Sequence, residues 1–179
     1  MKISAVTVFC GSKPGGDPSY VTGAQSLGKA LAQMGIVLVY GGGNKGIMGA
    51  VANASLDAGG KVIGIIPKLL LEWEAQHTGL TELLVTDSMH ARKLLLYEKC
   101  DVAIILPGGM GTMDELFEML TWNNLKIHNK KVYILNASGY YNALITLLDT
   151  MDQQGFMYED WRQRLIFCAS VEEIINAFS

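Results

Sequence analysis

The chain has 179 residues, half of them apolar, which is the length of one domain with enough hydrophobic material for a sizeable core. Its net charge is only -3, and its basic residues are scattered apart from short pairs such as Arg92-Lys93 and Lys130-Lys131. That leaves no basic face for nucleic acid. Apolar runs such as Val102 to Pro107 fall far short of the roughly 20 residues a membrane span requires, so a soluble protein without a membrane partner is expected.

Met1 to Phe9 carries one positive charge but lacks a long apolar core and a small-residue cleavage site, so it reads as a first strand and not as a signal peptide. The strand is predicted over Ile3 to Cys10. It runs into a first glycine-rich turn, Cys10-Gly11-Ser12-Lys13-Pro14-Gly15-Gly16, which reads equally as a flexible loop or as a phosphate or sugar contact through Ser12. Helical spacing follows over Tyr20 to Met34, then a strand over Ile36 to Tyr40.

The second turn, Gly41-Gly42-Gly43-Asn44-Lys45-Gly46, has the G-x-G-x-x-G spacing of a dinucleotide site directly after a strand. That fingerprint also wants an acid about 20 positions later, at the end of the next strand, to hold the ribose hydroxyls. The predicted strand Lys61 to Ile66 instead leads into Pro67-Lys68. A mononucleotide fits better, with the glycines still allowing the backbone to approach a ligand closely.

A helix is predicted over Ile47 to Ala58, an edge strand over Glu82 to Val85 and a further helix over Ser88 to Lys99. The last contains Met89-His90-Ala91-Arg92-Lys93. Its apolar positions Met89, Leu95, Leu96 and Cys100 leave Arg92 on a different side. There it is either half of a solvated Arg-Lys pair, which spacing alone favours, or a bidentate phosphate ligand.

Val102 to Leu106 is an apolar strand that enters a third turn, Pro107-Gly108-Gly109-Met110-Gly111-Thr112, before helical spacing over Met113 to Leu125. Successive N–H groups of Gly109, Met110, Gly111 and Thr112 can converge on phosphate oxygens, helped by the Thr112 hydroxyl and the helix dipole. None of the three turns supplies the lysine of G-x-x-x-x-G-K-[ST], which argues against triphosphate hydrolysis. Thr112-Met113-Asp114-Glu115 also reads as a capping box, with Thr112 as cap and Glu115 reaching back to its amide. The competing reading puts a carboxylate one turn beyond the phosphate, near an attached ribose, with Glu118 on the same face.

The remaining elements are a strand over Lys131 to Leu135, a helix over Tyr141 to Gln154, an edge strand over Leu165 to Cys168 and a closing helix over Val171 to Phe178. The five stronger strands lack polar alternation, as strands buried on both faces do, and they alternate with helices. The expected fold is α/β, a Rossmann-like three-layer sandwich with a mainly parallel sheet and helices on both faces. It forms one nucleotide-binding domain over residues 1–179. In such sheets ligands bind beyond the carboxyl ends of the strands, where all three turns fall. Cys10, Cys100 and Cys168 match neither a disulfide framework nor a zinc pattern, and His77, His90 and His128 are too dispersed for a metal cluster. A metal-free site in a reducing cytoplasm is expected.

Two segments carry a family resemblance: Pro107 to Glu115 matches P-G-G-x-G-T-x-x-E in full, and Met89 to Lys93 matches M-H-x-R-K in full. Phe9 to Ser12, Val39 to Gly43, Met48-Gly49, Val62 to Pro67, Leu80 to Leu83, Thr121-Trp122 and Gly139 to Tyr141 agree as well. Over nearly its whole length the chain resembles the Lonely Guy family of cytokinin riboside 5'-monophosphate phosphoribohydrolases, often mislabelled lysine decarboxylases. It departs at Ala91, where members more often carry an acidic or polar residue, and in the turn after Ser12.

The resemblance implies hydrolysis of the N-glycosidic bond of AMP or an N6-modified AMP, giving free base and ribose 5-phosphate, with water as sole cosubstrate and no cofactor. It implies Arg92 and Glu115 as catalytic residues. Gly108, Gly109, Met110, Gly111 and Thr112 would hold the phosphate, and Ser12, Gly43, Met89 and Lys93 would complete the substrate pocket. Glu115 would stabilise the oxocarbenium-like sugar and activate water, as carboxylates do in glycoside hydrolysis. Arg92 would act at the phosphate or near the departing base, and Asp114 is a lesser candidate for proton transfer. A homodimer burying apolar surface around Trp122 is also implied. Related proteins with P-G-G-x-G-T turns carry the molybdenum cofactor, so a non-catalytic carrier is the competing reading. An amino-acid decarboxylase would usually need a pyridoxal phosphate lysine and a much larger scaffold.

Overall fold

In the computed structural model, which describes residues 2–71 and 76–178, seven strands form a single all-parallel sheet. They are β1 (Ala5–Phe9), β2 (Val37–Tyr40), β3 (Val62–Pro67), β4 (Glu82–Thr86), β5 (Val102–Ile105), β6 (Val132–Leu135) and β7 (Leu165–Cys168), in the order β4-β3-β2-β1-β5-β6-β7. The runs without polar alternation are the five inner strands, and β5 and β6 are buried at every position. The two weaker segments, β4 and β7, are the edges, as expected.

Strand side chains alternate between faces, and the sheet sorts them into two cores. Val6, Val8, Leu38 and Tyr40 pack with Leu27 and Leu31 of α1 (Pro18–Gln33), Ile47 and Val51 of α2 (Gly46–Asp57) and Ile174 of α6 (Val171–Asn176). Phe9, Val39, Ala103 and Ile105 pack on the other face with Leu96 of α3 (Met89–Glu98), Leu116 and Met119 of α4 (Met110–Asn124), and Leu144 and Leu148 of α5 (Asn142–Gln153). This is the expected three-layer α/β sandwich. No helix among the described residues is long and apolar enough to cross a membrane.

Two helices, α1 and α4, start more than one residue earlier than expected, each for a local reason. Asp17 caps α1, accepting the Ser19 N–H at 2.8 Å, and Pro18 takes a first-turn position where its missing N–H costs nothing. α4 begins at Met110 because Gly109 already has the extended backbone of a cap (φ -97, ψ -152), and no side chain caps the helix. Thr112 is therefore inside the first turn, and the Thr112-x-x-Glu115 capping box does not form.

The topology puts one crevice in a special place. β2 to β4 extend from one side of β1, and β5 to β7 from the other, so the chain reverses its direction of winding between β1 and β5. At such a switch point the loops leaving the two strands splay to opposite faces and open a cleft. Phe9 and Ile105, the last residues of the two strands, are register partners. The first and third glycine turns start from them.

Candidate active site

A cleft of about 490 Å³ opens at this switch point. Gly11, Ser12, Lys13 and Gly15 of the first turn form one wall, and Pro107 to Thr112 form another. The two turns are tied together, since the Gly11 N–H donates to Pro107 O at 3.0 Å and the Leu106 N–H to Phe9 O at 3.0 Å. A side chain at residue 108 would collide with Thr112 Oγ1 and approach Gly11 N to 2.9 Å, so only glycine lets the turns close this tightly. Gly109 and Gly111 face open space.

The third turn delivers N–H groups at the start of α4. With Gly109 as cap, the first intrahelical bond of this end is Met113 N–H to Gly109 O at 3.1 Å. The amides of Gly109, Met110, Gly111 and Thr112 thus have no partner within the helix, and the dipole adds partial positive charge at the same place. The earlier helix start makes the expected four amides the cap amide and the first three of α4.

Arg92 is not half of a solvated pair. It is 4% exposed and shares the buried side of α3 with Leu96, one turn on. Its Nε–H donates to Ile65 O of β3 at 3.1 Å, and an Nη2–H donates to Gly41 O, just beyond β2, at 3.3 Å. Burying a guanidinium is costly unless its donors are met, and these two carbonyls meet part of that demand while the group also lines the cleft. A Cβ at residue 41 would strike Arg92 Nη2, so any larger residue there would displace the guanidinium from this position.

Glu115 and Thr112, on the inward side of α4, are 8% and 4% exposed and line the same cleft. The neighbouring acids turn elsewhere. Lys93 Nζ lies 3.2 Å from Asp114 Oδ2 and 3.1 Å from Glu118 Oε2, and the Tyr97 hydroxyl donates to Glu118 Oε2 at 2.6 Å. Burial works against the charged lysine, but the bonds to Glu118 and Asp114 raise its pKa above the ordinary value. Burial and then Glu118 push the Tyr97 phenol upward. This network fastens α3 to α4 beside the cleft, and neither Asp114 nor Glu118 lines it.

Of the expected site residues, Ser12, Arg92, Gly108, Gly109, Met110, Gly111, Thr112 and Glu115 meet in the cleft, whereas Gly43, Met89 and Lys93 are outside its lining. The second glycine turn is covered by the chain itself: the His77 N–H donates to Gly42 O at 3.0 Å, and Gly43 makes a bridge with Gln76. Only Ile47 and Met48, from the helix it introduces, reach the cleft. Tyr20 and Tyr140 also line it, with ring centroids 5.5 Å apart. The Gly139-Tyr140-Tyr141 agreement pointed to that segment without giving it a task.

Residues 48–178 match the family model described as "Possible lysine decarboxylase". The chain is 45% identical over 174 residues to the cytokinin riboside 5'-monophosphate phosphoribohydrolase of Rhodococcoides fascians, covering 97% of this chain and 88% of that protein. It is 41% identical over 175 residues to an Arabidopsis thaliana enzyme of the same name, covering 98% and 81%. Among solved structures, the molybdenum cofactor binding protein of Rippkaea orientalis superimposes with a TM-score of 0.74 at 25% identity, covering 99% of this chain and 96% of that one.

Proposed function

The chain belongs to the Lonely Guy family of cytokinin riboside 5'-monophosphate phosphoribohydrolases, and from that premise we propose how its cleft performs the family's reaction. The protein is a hydrolase of the N-glycosidic bond of adenosine 5'-monophosphate or its N6-modified forms. It releases an adenine-type base and ribose 5-phosphate. The observation that carries the reading is the meeting, in one cleft, of a helix N-terminus suited to an anion with two buried ionisable side chains, Arg92 and Glu115.

The 5'-phosphate sits on the amides of residues 109–112, with the Thr112 hydroxyl beside them. Its ribose then extends toward Glu115, one turn further along α4. As the base departs, the sugar becomes oxocarbenium-like, and the Glu115 carboxylate stabilises that charge and takes a proton from the attacking water. Arg92, held by Ile65 O and Gly41 O, presents a fixed positive charge to the negative charge that builds during departure. Gly43, Met89 and Lys93 take no direct part in this reading.

The active unit is a homodimer, with no nucleic acid or membrane partner. Leu125 and Ile127, close in sequence to Trp122, are 64% and 61% exposed, a surface suited to a second copy. Three buried, unbridged cysteines fit a cytoplasmic setting.

The test is a substrate panel of AMP, N6-isopentenyladenosine monophosphate and the matching nucleosides, with free base followed by chromatography. Base is expected from the monophosphates and little from the nucleosides. Equal cleavage of nucleosides would remove the phosphate from the account, and no release from any monophosphate would overturn it. The likeness to the molybdenum cofactor binding protein supports the carrier alternative, which predicts tight binding of that cofactor without turnover.

A further inference from the structure

The carbonyls of four successive residues at the third turn are all engaged. Leu106 O accepts the Tyr141 hydroxyl at 2.7 Å, Pro107 O the Gly11 N–H at 3.0 Å, Gly108 O the Tyr140 hydroxyl at 2.7 Å and Gly109 O the Met113 N–H at 3.1 Å. Four successive acceptors are engaged by other parts of the chain, and the amides that follow are the groups left for a ligand. An anion site needs this polarity, since one carbonyl turned into it would replace attraction by repulsion.

Of these four bonds, the one from Tyr140 guards the most easily reversed peptide. The unit between Gly108 and Gly109 has glycine on both sides, and no Cβ opposes a flip of its plane. In a planar trans peptide the C=O and N–H point in opposite directions. Holding Gly108 O on the Tyr140 side therefore aims the Gly109 N–H the other way, and a flip would exchange donor for acceptor. Tyr140 is itself held in place. Its ring meets Tyr20 edge-on at 5.5 Å and Tyr141 at 4.8 Å, and Tyr20 rests against Gly15, where an added Cβ would come within 2.6 Å of the ring.

We propose that Tyr140 is a positioning residue for phosphate recognition, its hydroxyl locking the Gly108–Gly109 peptide in the donor-inward orientation. The proposal rests on the reading of residues 109–112 as the phosphate site. It assigns to an exposed tyrosine, 45% accessible, a part in selecting phosphorylated over unphosphorylated ligands.

The experiment compares the full-length protein with Tyr140→Phe, which keeps the ring contacts and deletes only the hydroxyl. Calorimetric titrations use ribose 5-phosphate, inorganic phosphate and adenine as probes. The variant is expected to unfold at the wild-type temperature and to bind adenine as the wild type does. It should bind ribose 5-phosphate and phosphate about three- to tenfold more weakly, the equivalent of one orienting hydrogen bond. KM for AMP should rise by a similar factor with kcat nearly unchanged. Unaltered phosphate binding in the variant, or equal weakening for adenine and ribose 5-phosphate, would overturn the role of Tyr140 alone. Failure of the wild type to bind either phosphate probe would overturn the phosphate-site reading and the proposal with it.

Discussion

At the scale of single residues, the proposed chemistry falls to Arg92 and Glu115. Glu115→Gln keeps size and most polarity while removing the charge, so kcat should fall about 10²- to 10⁴-fold, the usual span for a lost general acid or base. Because the amide keeps the carboxylate's size and hydrogen-bonding capacity, thermal unfolding should move little. A folded variant with near-normal turnover would show the residue to be structural. Arg92→Ala should lower both activity and stability, since Ile65 O and Gly41 O lose buried donors worth about 1–3 kcal/mol each. Urea titration beside a rate assay checks both effects. The motif around Arg92 was legible, but its burial was not. Reading a helix by its apolar residues cannot detect an arginine whose carbonyl partners lie 27 and 51 residues away in sequence. Gly41 shows the same limit, because the glycine pattern was visible while its reason, the head of Arg92, was not.

At the scale of elements, strands and helices were read closely because both periodicities are strong, and the errors fell at helix starts. The cap of α4 is a glycine, which carries no side chain to mark it, whereas Thr112 has the side chain of a cap. The second turn differs from expectation in its surroundings. Its spacing suits a ligand, but residues 76–77 fold back over it, a long-range contact with no local signature. His77 secures that segment, with Nε2 2.9 Å from Asn53 Oδ1 and Nδ1 accepting the Gly79 N–H at 3.0 Å, a pattern that requires the neutral ring. Burial lowers its pKa from 6.5. The folded ring therefore binds its proton at lower pH than the unfolded ring does. Its contribution is complete above 6.5 and is lost as pH falls through the folded value. The urea midpoint should decline below that pH, and less steeply in His77→Gln; identical slopes would contradict the assignment. Lys93→Met tests the tie between α3 and α4. Melting should drop while KM for AMP is unchanged, whereas a raised KM alone would return Lys93 to the substrate.

At the scale of the whole molecule, function follows from topology. β1 lies at the centre, β5 beside it, and the two turns that leave them build the cleft. The sequence indicated a parallel sheet but not this order, since parallel strands joined by similar helical crossovers can be arranged in several ways. That is why the pairing of the first turn with the third, at the switch point, was not visible in the sequence. The proposed dimer belongs to this scale too. Leu125→Asp with Ile127→Asp should convert a dimer to a monomer in sedimentation, and a wild-type monomer at assay concentration would contradict it. The proposed reaction cleaves the bond between base and sugar, and the product balance from AMP measures it. Adenine and ribose 5-phosphate are expected in equal amounts, without adenosine or inorganic phosphate. Adenosine with inorganic phosphate, or no products at all, would contradict it.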